Sequence, residues 1–191
     1  MPIDQAAGLR RRNAGRAPFC IHCVSDSAAT ALRLAQALQG RGHRPLLVDA
    51  RDRLFAGTAT QALFDWTQQL ARGRLFVLPL DEIAAWHAPG VAPDAPGLLQ
   101  AAREHDVLVF DSSPAQAATV PPGVPGFGLL AVRQDNLDIV YAVLKTRAQS
   151  GAAAAILFGD AQACERVRTA CARFLDATVA AAVTSIPDED D

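Results

Sequence analysis

The chain has 191 residues, half of them apolar, and a formal net charge of −2 at pH 7. That is enough for one globular domain with a sizeable core. The near-neutral balance excludes a bulk nucleic-acid binder, which carries a basic excess, and no apolar run approaches the roughly 20 residues of a membrane-spanning helix.

Arg10-Arg11-Arg12 followed by Phe19–Val24 superficially resembles a twin-arginine export signal. The apolar stretch is only six residues, contains His22, and runs straight into Ser25-Asp26-Ser27. An export signal is therefore rejected. Four cysteines in a chain of this size do not make a disulfide framework, so a reduced, cytoplasmic protein is expected. Lys145 is the single lysine. A site that needs a lysine must use it or do without.

Residues 1–17 are polar and arginine-rich and read as an arm with a short helical segment. Phe19–Val24 reads as a strand. Ser27–Gln39 carries Ala31, Leu34, Ala35 and Leu38 at helical spacing, stopped by Gly40 and Gly42. Pro45–Asp49 is the second strand. Thr60–Arg72 reads as a helix with Leu63, Trp66 and Leu70 on one side, and Arg74–Pro79 as a third strand. Asp81–His87 is expected to be a short helix, 88–97 a proline- and glycine-rich loop, and Leu98–Glu104 a short helix. Val107–Asp111 is a strand, Val120–Gly126 a loop, and Phe127–Val132 a strand. Asp135 or Asn136 caps a helix bearing Leu137, Val140, Tyr141 and Leu144. Ala154–Gly159 is a strand, Ala161–Leu175 a helix, and Thr178–Val183 a final short strand. The sequence then turns acidic over 185–191. Strands that are continuous apolar runs separated by helices are buried on both faces. The expected fold is a three-layer α/β/α sandwich around a mainly parallel sheet, as one domain over 18–184.

In such a sheet, ligands sit at the carboxyl ends of the strands. Asp49 and Asp111 close two of them, as a magnesium–phosphate site would require, although Asp also commonly just ends a strand. The first strand–helix junction, Ser25-Asp26-Ser27, should carry a phosphate loop. It has no glycine to let backbone N–H groups wrap a phosphate and no lysine to neutralise one. Asp26 adds negative charge there. Ser25 or Ser27 reads more simply as the N-cap of the following helix.

Three blocks carry a family resemblance. Residues 37–51 (ALQGRGHRPLLVDAR) resemble the segment after the Walker A helix of MinD/ParA-type ATPases. Residues 105–114 (HDVLVFDSSP) are similar to their Walker B strand, and 132–145 (VRQDNLDIVYAVLK) to a later helix. Asp4-Gln5-Ala6-Ala7-Gly8-Leu9-Arg10 fits the pattern D-Q-A-x-x-L-R, which precedes the ATPase domain in FlhG (FleN), the MinD-like regulators of flagellar number and placement. In that family the motif stimulates FlhF, a signal-recognition-type GTPase. The resemblance implies a partner surface at Asp4, Gln5, Ala6, Leu9 and Arg10. Gln5 would act on the water side, and Arg11 and Arg12 would add positive charge. An arm so short, with Gly8 inside it, would fold on docking.

The chain departs from the family at the nucleotide. The Walker A glycines and lysine are missing, Ser112-Ser113-Pro114-Ala115 lacks the glycine after Walker B, and the basic membrane helix is replaced by acidic residues. The degenerate site comprises Ser25, Asp26, Ser27, Asp49 and Asp111. The resemblance then implies a non-hydrolysing regulator with no cofactor, metal or catalytic residue of its own. It would have no direct membrane anchor, and flagellar switch proteins would be further partners. One rival is a sensor or enzyme that takes a nucleotide or phosphate ligand in a non-standard pocket. Another is a MinD-like scaffold of a different secretion or pilus system.

The remaining constellations read as structure. Cys20 and Cys23 face opposite sides of a strand, which does not suit zinc. Cys164 and Cys171 lie one heptad apart among core positions. His105 has no evident partner for a catalytic triad, and Ser112-Ser113 no nucleophile elbow. Trp66 and Trp86 read as core or interface aromatics.

Overall fold

A computed structural model of the chain describes residues 18–56, 78–80, 83–87, 89–121 and 123–186, with 65, 68 and 72 between them. The amino-terminal arm, with Asp4, Gln5, Ala6, Leu9 and Arg10, lies outside the described residues. So do most of the expected helix over 60–72, including Trp66, the greater part of the expected strand over 74–79, and the acidic residues 188–191.

The elements in chain order are β1 (Phe19–Val24), α1 (Ala28–Gly40), β2 (Pro45–Asp49), β3 (Leu78–Leu80), β4 (Ile83–His87) and α2 (Pro96–Ala101). A 3₁₀ turn over Ala102–Glu104 leads to β5 (Val107–Asp111), α3 (Pro114–Ala118) and β6 (Gly126–Val132). Then come α4 (Leu137–Gln149), β7 (Ala155–Gly159), α5 (Ala161–Phe174), α6 (Ala177–Ala181) and β8 (Val183–Ser185). The sheet runs β3-β4-β2-β5-β1-β6-β7-β8. Seven strands are parallel, and β3 alone pairs antiparallel, on the β4 edge. This is the expected α/β/α sandwich.

Alternation along each strand divides the core between the two faces. On one face, α1 sends Ala31 and Ala35 against Ile21, Cys23, Leu47 and Val109. On the other, α2 packs Leu98 and Ala101 on Leu46, Val48, Leu108 and Phe110. Further along that second face, Ala117 of α3, Val140 and Leu144 of α4, and Cys164 and Cys171 of α5 cover Leu130, Val132 and Leu157. Cys20 and Cys23 do fall on opposite faces. All four cysteines are buried, and none is in a disulfide. Burial pushes the thiols of Cys20 and Cys23 up to about 12, and neighbouring Asp111 adds to it at Cys23. They are inert packing groups.

Two sequence expectations are corrected, and one element was missed. Residues 83–87 form a strand, not a helix: Leu47, Val48 and Asp49 pair with Ala85, Trp86 and His87, and that ladder overrides the helical tendency of the alanines. Residues 177–181 form a helix, started by Asp176, whose side chain accepts from the Thr178 N–H; the last strand begins only at Val183 and runs to Ser185, past the expected domain end. The short helix α3 was not anticipated. Ser113 and Gln116 close a reciprocal capping box around its start, with Pro114 in its first turn.

Candidate functional site

The crossovers change direction between β1 and β5. From β1 the chain passes through α1 on one face to β2; from β5 it passes through α3 on the other face to β6. Adjacent strands whose connections leave on opposite faces open a crevice at their carboxyl ends, where α/β sheets bind ligands. Ser25, Asp26 and Ser27 follow β1 there, and Asp49 and Asp111 close β2 and β5. The register sets those two aspartates side by side, and both are fully buried. The structure therefore brings all five residues of the sequence-predicted site to one end of the sheet.

Each carboxylate is satisfied by a nearby segment that sequence reading missed. After β2 the chain turns at Asp52, which takes a left-handed φ of 57°. Aspartate tolerates that region better than most residues. The turn aims three successive backbone N–H groups at Asp49: Arg53 donates at 3.1 Å, Leu54 at 3.2 Å and Phe55 at 3.4 Å. It also throws the Arg53 side chain across the crevice. Arg53 Nε donates to Asp111 Oδ2 at 2.6 Å and Nη2 to Oδ1 at 2.5 Å. Nη2 also reaches the Ser25 carbonyl at 2.8 Å, and Nη1 the Asp26 carbonyl at 2.9 Å. A two-pronged arginine–carboxylate pair is among the strongest side-chain contacts available. The bond to Asp111 raises the Arg53 pKa, and burial only partly opposes it.

Two more arginines brace the same loop. Arg51 donates to the Ser25 carbonyl at 3.1 Å. Arg133, after β6, bonds both Asp26 and Asp135. Ser27 occupies the N-cap of α1, but its side chain makes no capping bond. Ser25 instead accepts from the Ser27 N–H at 3.2 Å and shares a 3.0 Å bond with Thr30. Lys145 is exposed on α4. A guanidinium fixed by a carboxylate and two backbone carbonyls thus supplies the positive charge at this crevice. Swinging it out would break its bonds to Asp111 and to the Ser25 and Asp26 carbonyls.

The turn also brings His87 Nε2 to 2.7 Å from Asp52 Oδ1. Asp49, Asp52 and His87 each place a potential metal ligand within 4.8 Å of the others. Hydrogen bonds within the chain already engage all three. Beneath the crevice, Ser112 and His22 make a buried pair, with Oγ 3.0 Å from Nδ1. The His22 ring stacks on Phe110 at 4.7 Å. Burial, helped by the charge of Arg147, pushes the His22 pKa down to about 3, so the ring is neutral. Ser112 is fully buried, which keeps this serine–histidine pair from any substrate.

The one sequence signal for Arg53 was indirect. Two carboxylates buried side by side require donors or a cation, and the arginine pair 51 and 53 lies just after the first. Compared with models of known protein families and with curated protein sequences, the chain matches none.

Proposed function

We propose that the protein is a non-hydrolysing, FlhG-like regulator that acts on a signal-recognition-type GTPase of the FlhF kind through residues 1–17. One observation carries the non-hydrolysing half of this reading. Arg53 spans the crevice at the switch point, bonded to Asp111 and to the Ser25 and Asp26 carbonyls. A nucleotide phosphate would have to displace a tethered, charge-paired group and would meet neither a glycine loop nor a lysine. The D-Q-A-x-x-L-R match at Asp4–Arg10 carries the partner half.

The test is GTP hydrolysis by the cognate GTPase. The full chain, and a peptide of residues 1–17, should accelerate it, and Gln5→Ala should abolish the effect. No acceleration by either would overturn the activator role. Micromolar binding of ATP with magnesium in calorimetry would overturn the inert site and favour a nucleotide sensor instead.

A further inference from the structure

A cavity lies among the described residues at the opposite end of the sheet from Arg53. It has a volume of about 900 Å³, within the range of sites that enclose small molecules, about 300–1,000 Å³. Its floor is the sheet face that α1 covers only in part. Ile21, Phe127, Leu129 and Ile156 come from β1, β6 and β7, and Leu34 and Leu38 from α1. The helices α4 and α5 pack on the other face, and Phe127 and Ile156 are only partly buried. Phe19 and Ile186 at the mouth are 40% and 51% exposed.

The rim is cationic. Arg41, Arg44 and Arg103 line it, all exposed, and none has an ion-pair partner among the described residues. Of the two rim carboxylates, Asp106 is already engaged, accepting from the Arg44 backbone N–H at 2.8 Å and lying 3.7 Å from His43 Nδ1. Glu104 is exposed. In the wall, Nδ1 of His105 is buried and has no hydrogen-bond partner among the described residues.

An apolar floor beside three exposed guanidiniums, with no ion-pair partner among the described residues, matches an amphiphile with an anionic head. We propose that this cavity binds a free fatty acid, with its alkyl chain on Ile21, Leu38, Phe127 and Ile156 and its carboxylate between Arg41, Arg44 and Arg103. Arginine suits that head because its planar fork meets both oxygens of a carboxylate. The site is remote from the switch-point crevice, and binding there stands whether or not residues 1–17 act on a GTPase.

The test is calorimetric titration of the full chain at pH 7.5 with monomeric dodecanoate, and with dodecanol as the uncharged control. The expected result is a Kd on the order of 10 µM for dodecanoate and binding at least about tenfold weaker for dodecanol. The Arg41→Ala/Arg44→Ala variant changes only exposed side chains. It should retain its thermal midpoint and lose about tenfold or more of the dodecanoate affinity. Absence of binding would overturn the proposal, as would equal affinity for dodecanol or an unchanged affinity in the double variant. Two further outcomes would overturn it by naming another occupant. A concentration-dependent dimer abolished by Leu38→Glu would assign the face to a second copy. Binding that appears only in Leu9→Asp would assign it to the chain's own arm.

Discussion

The guanidinium of Arg53 lies edge to edge with the carboxylate of Asp111, with N–O distances of 2.5 and 2.6 Å. Asp111 is fully buried, whereas the Arg53 side chain keeps 20% of its surface. The pair is thus an internal charge closed by a cation at the lip of the sheet. Removing the cation leaves an unpaired buried carboxylate, which costs far more than the pair itself is worth.

Arg53→Ala should therefore destabilise the protein by about 3 kcal/mol, seen as a fall of roughly 10 °C in the thermal midpoint. The double variant Arg53→Met/Asp111→Leu removes both charges and keeps the volume, so it should recover most of that loss. A double variant no better than Arg53→Ala would show that the bonds to the Ser25 and Asp26 carbonyls dominate.

A second prediction concerns acid. His22 has a pKa of about 3 in the folded protein against 6.5 when free, because burial disfavours its charged form. The unfolded chain therefore binds the proton first. The stability due to neutral His22 is complete above pH 6.5 and is lost as the pH falls towards 3, by about 1.4 kcal/mol per pH unit. Burial lowers the pKa of His105 too, in the same sense. Urea midpoints measured between pH 7.5 and 4.5 should fall steeply in the wild type. They should fall less in His22→Gln, and an equal slope in the two would place the acid sensitivity elsewhere.

Much of the fold was legible because parallel strands buried on both faces read as continuous apolar runs: PLLVD and VLVFD could be little else. The aspartates that end them pointed to the right end of the sheet. What escaped has physical reasons. IAAWH is too short for a helical period to show itself, and only its ladder with β2 makes it a strand. Residues 178–183 hold β-branched residues at both ends, yet a cap at Asp176 makes a helix as far as Ala181 and leaves the strand to begin at Val183. Arg53 and Asp111 are 58 positions apart, and no local pattern announces a pair at that distance. The cavity depends on where each described helix lands on the sheet, which no local pattern sets.

Close packing of β1 against β6 gives a third prediction. A Cβ at Gly126 would stand 1.9 Å from the Cys20 carbonyl oxygen, so the two strands would have to part. Gly126→Ala should cost about 3 kcal/mol or prevent folding. At Gly128, two residues on, the nearest atom is Leu130 Cδ2 at 3.4 Å, an ordinary contact. Gly128→Ala should stay within about 1 kcal/mol of the wild type in urea denaturation. The same loss in both variants would mean that glycine serves the strand's conformation and not its close approach.

Arg147 is the largest fully buried side chain and faces no carboxylate among the described residues. It donates to the Ala117 carbonyl at the end of α3, 2.7 Å away, while its Nε has no hydrogen-bond partner among the described residues. Burial lowers its pKa to about 10, the mark of a cation held where water would serve it better. Its side chain fills core volume beside Gly128, with Nε 3.5 Å from where a Cβ there would stand. Arg147→Met keeps that volume and removes the charge, so it should leave stability unchanged or raise it by about 1 kcal/mol. Arg147→Ala opens a cavity and should lower stability by about 3 kcal/mol. The methionine variant should also raise the His22 pKa, because the Arg147 charge helps hold that ring neutral, and NMR titration of the imidazole reads this directly. A large loss of stability in Arg147→Met, with His22 unmoved, would mean that the bond to the Ala117 carbonyl outweighs the desolvation of the charge.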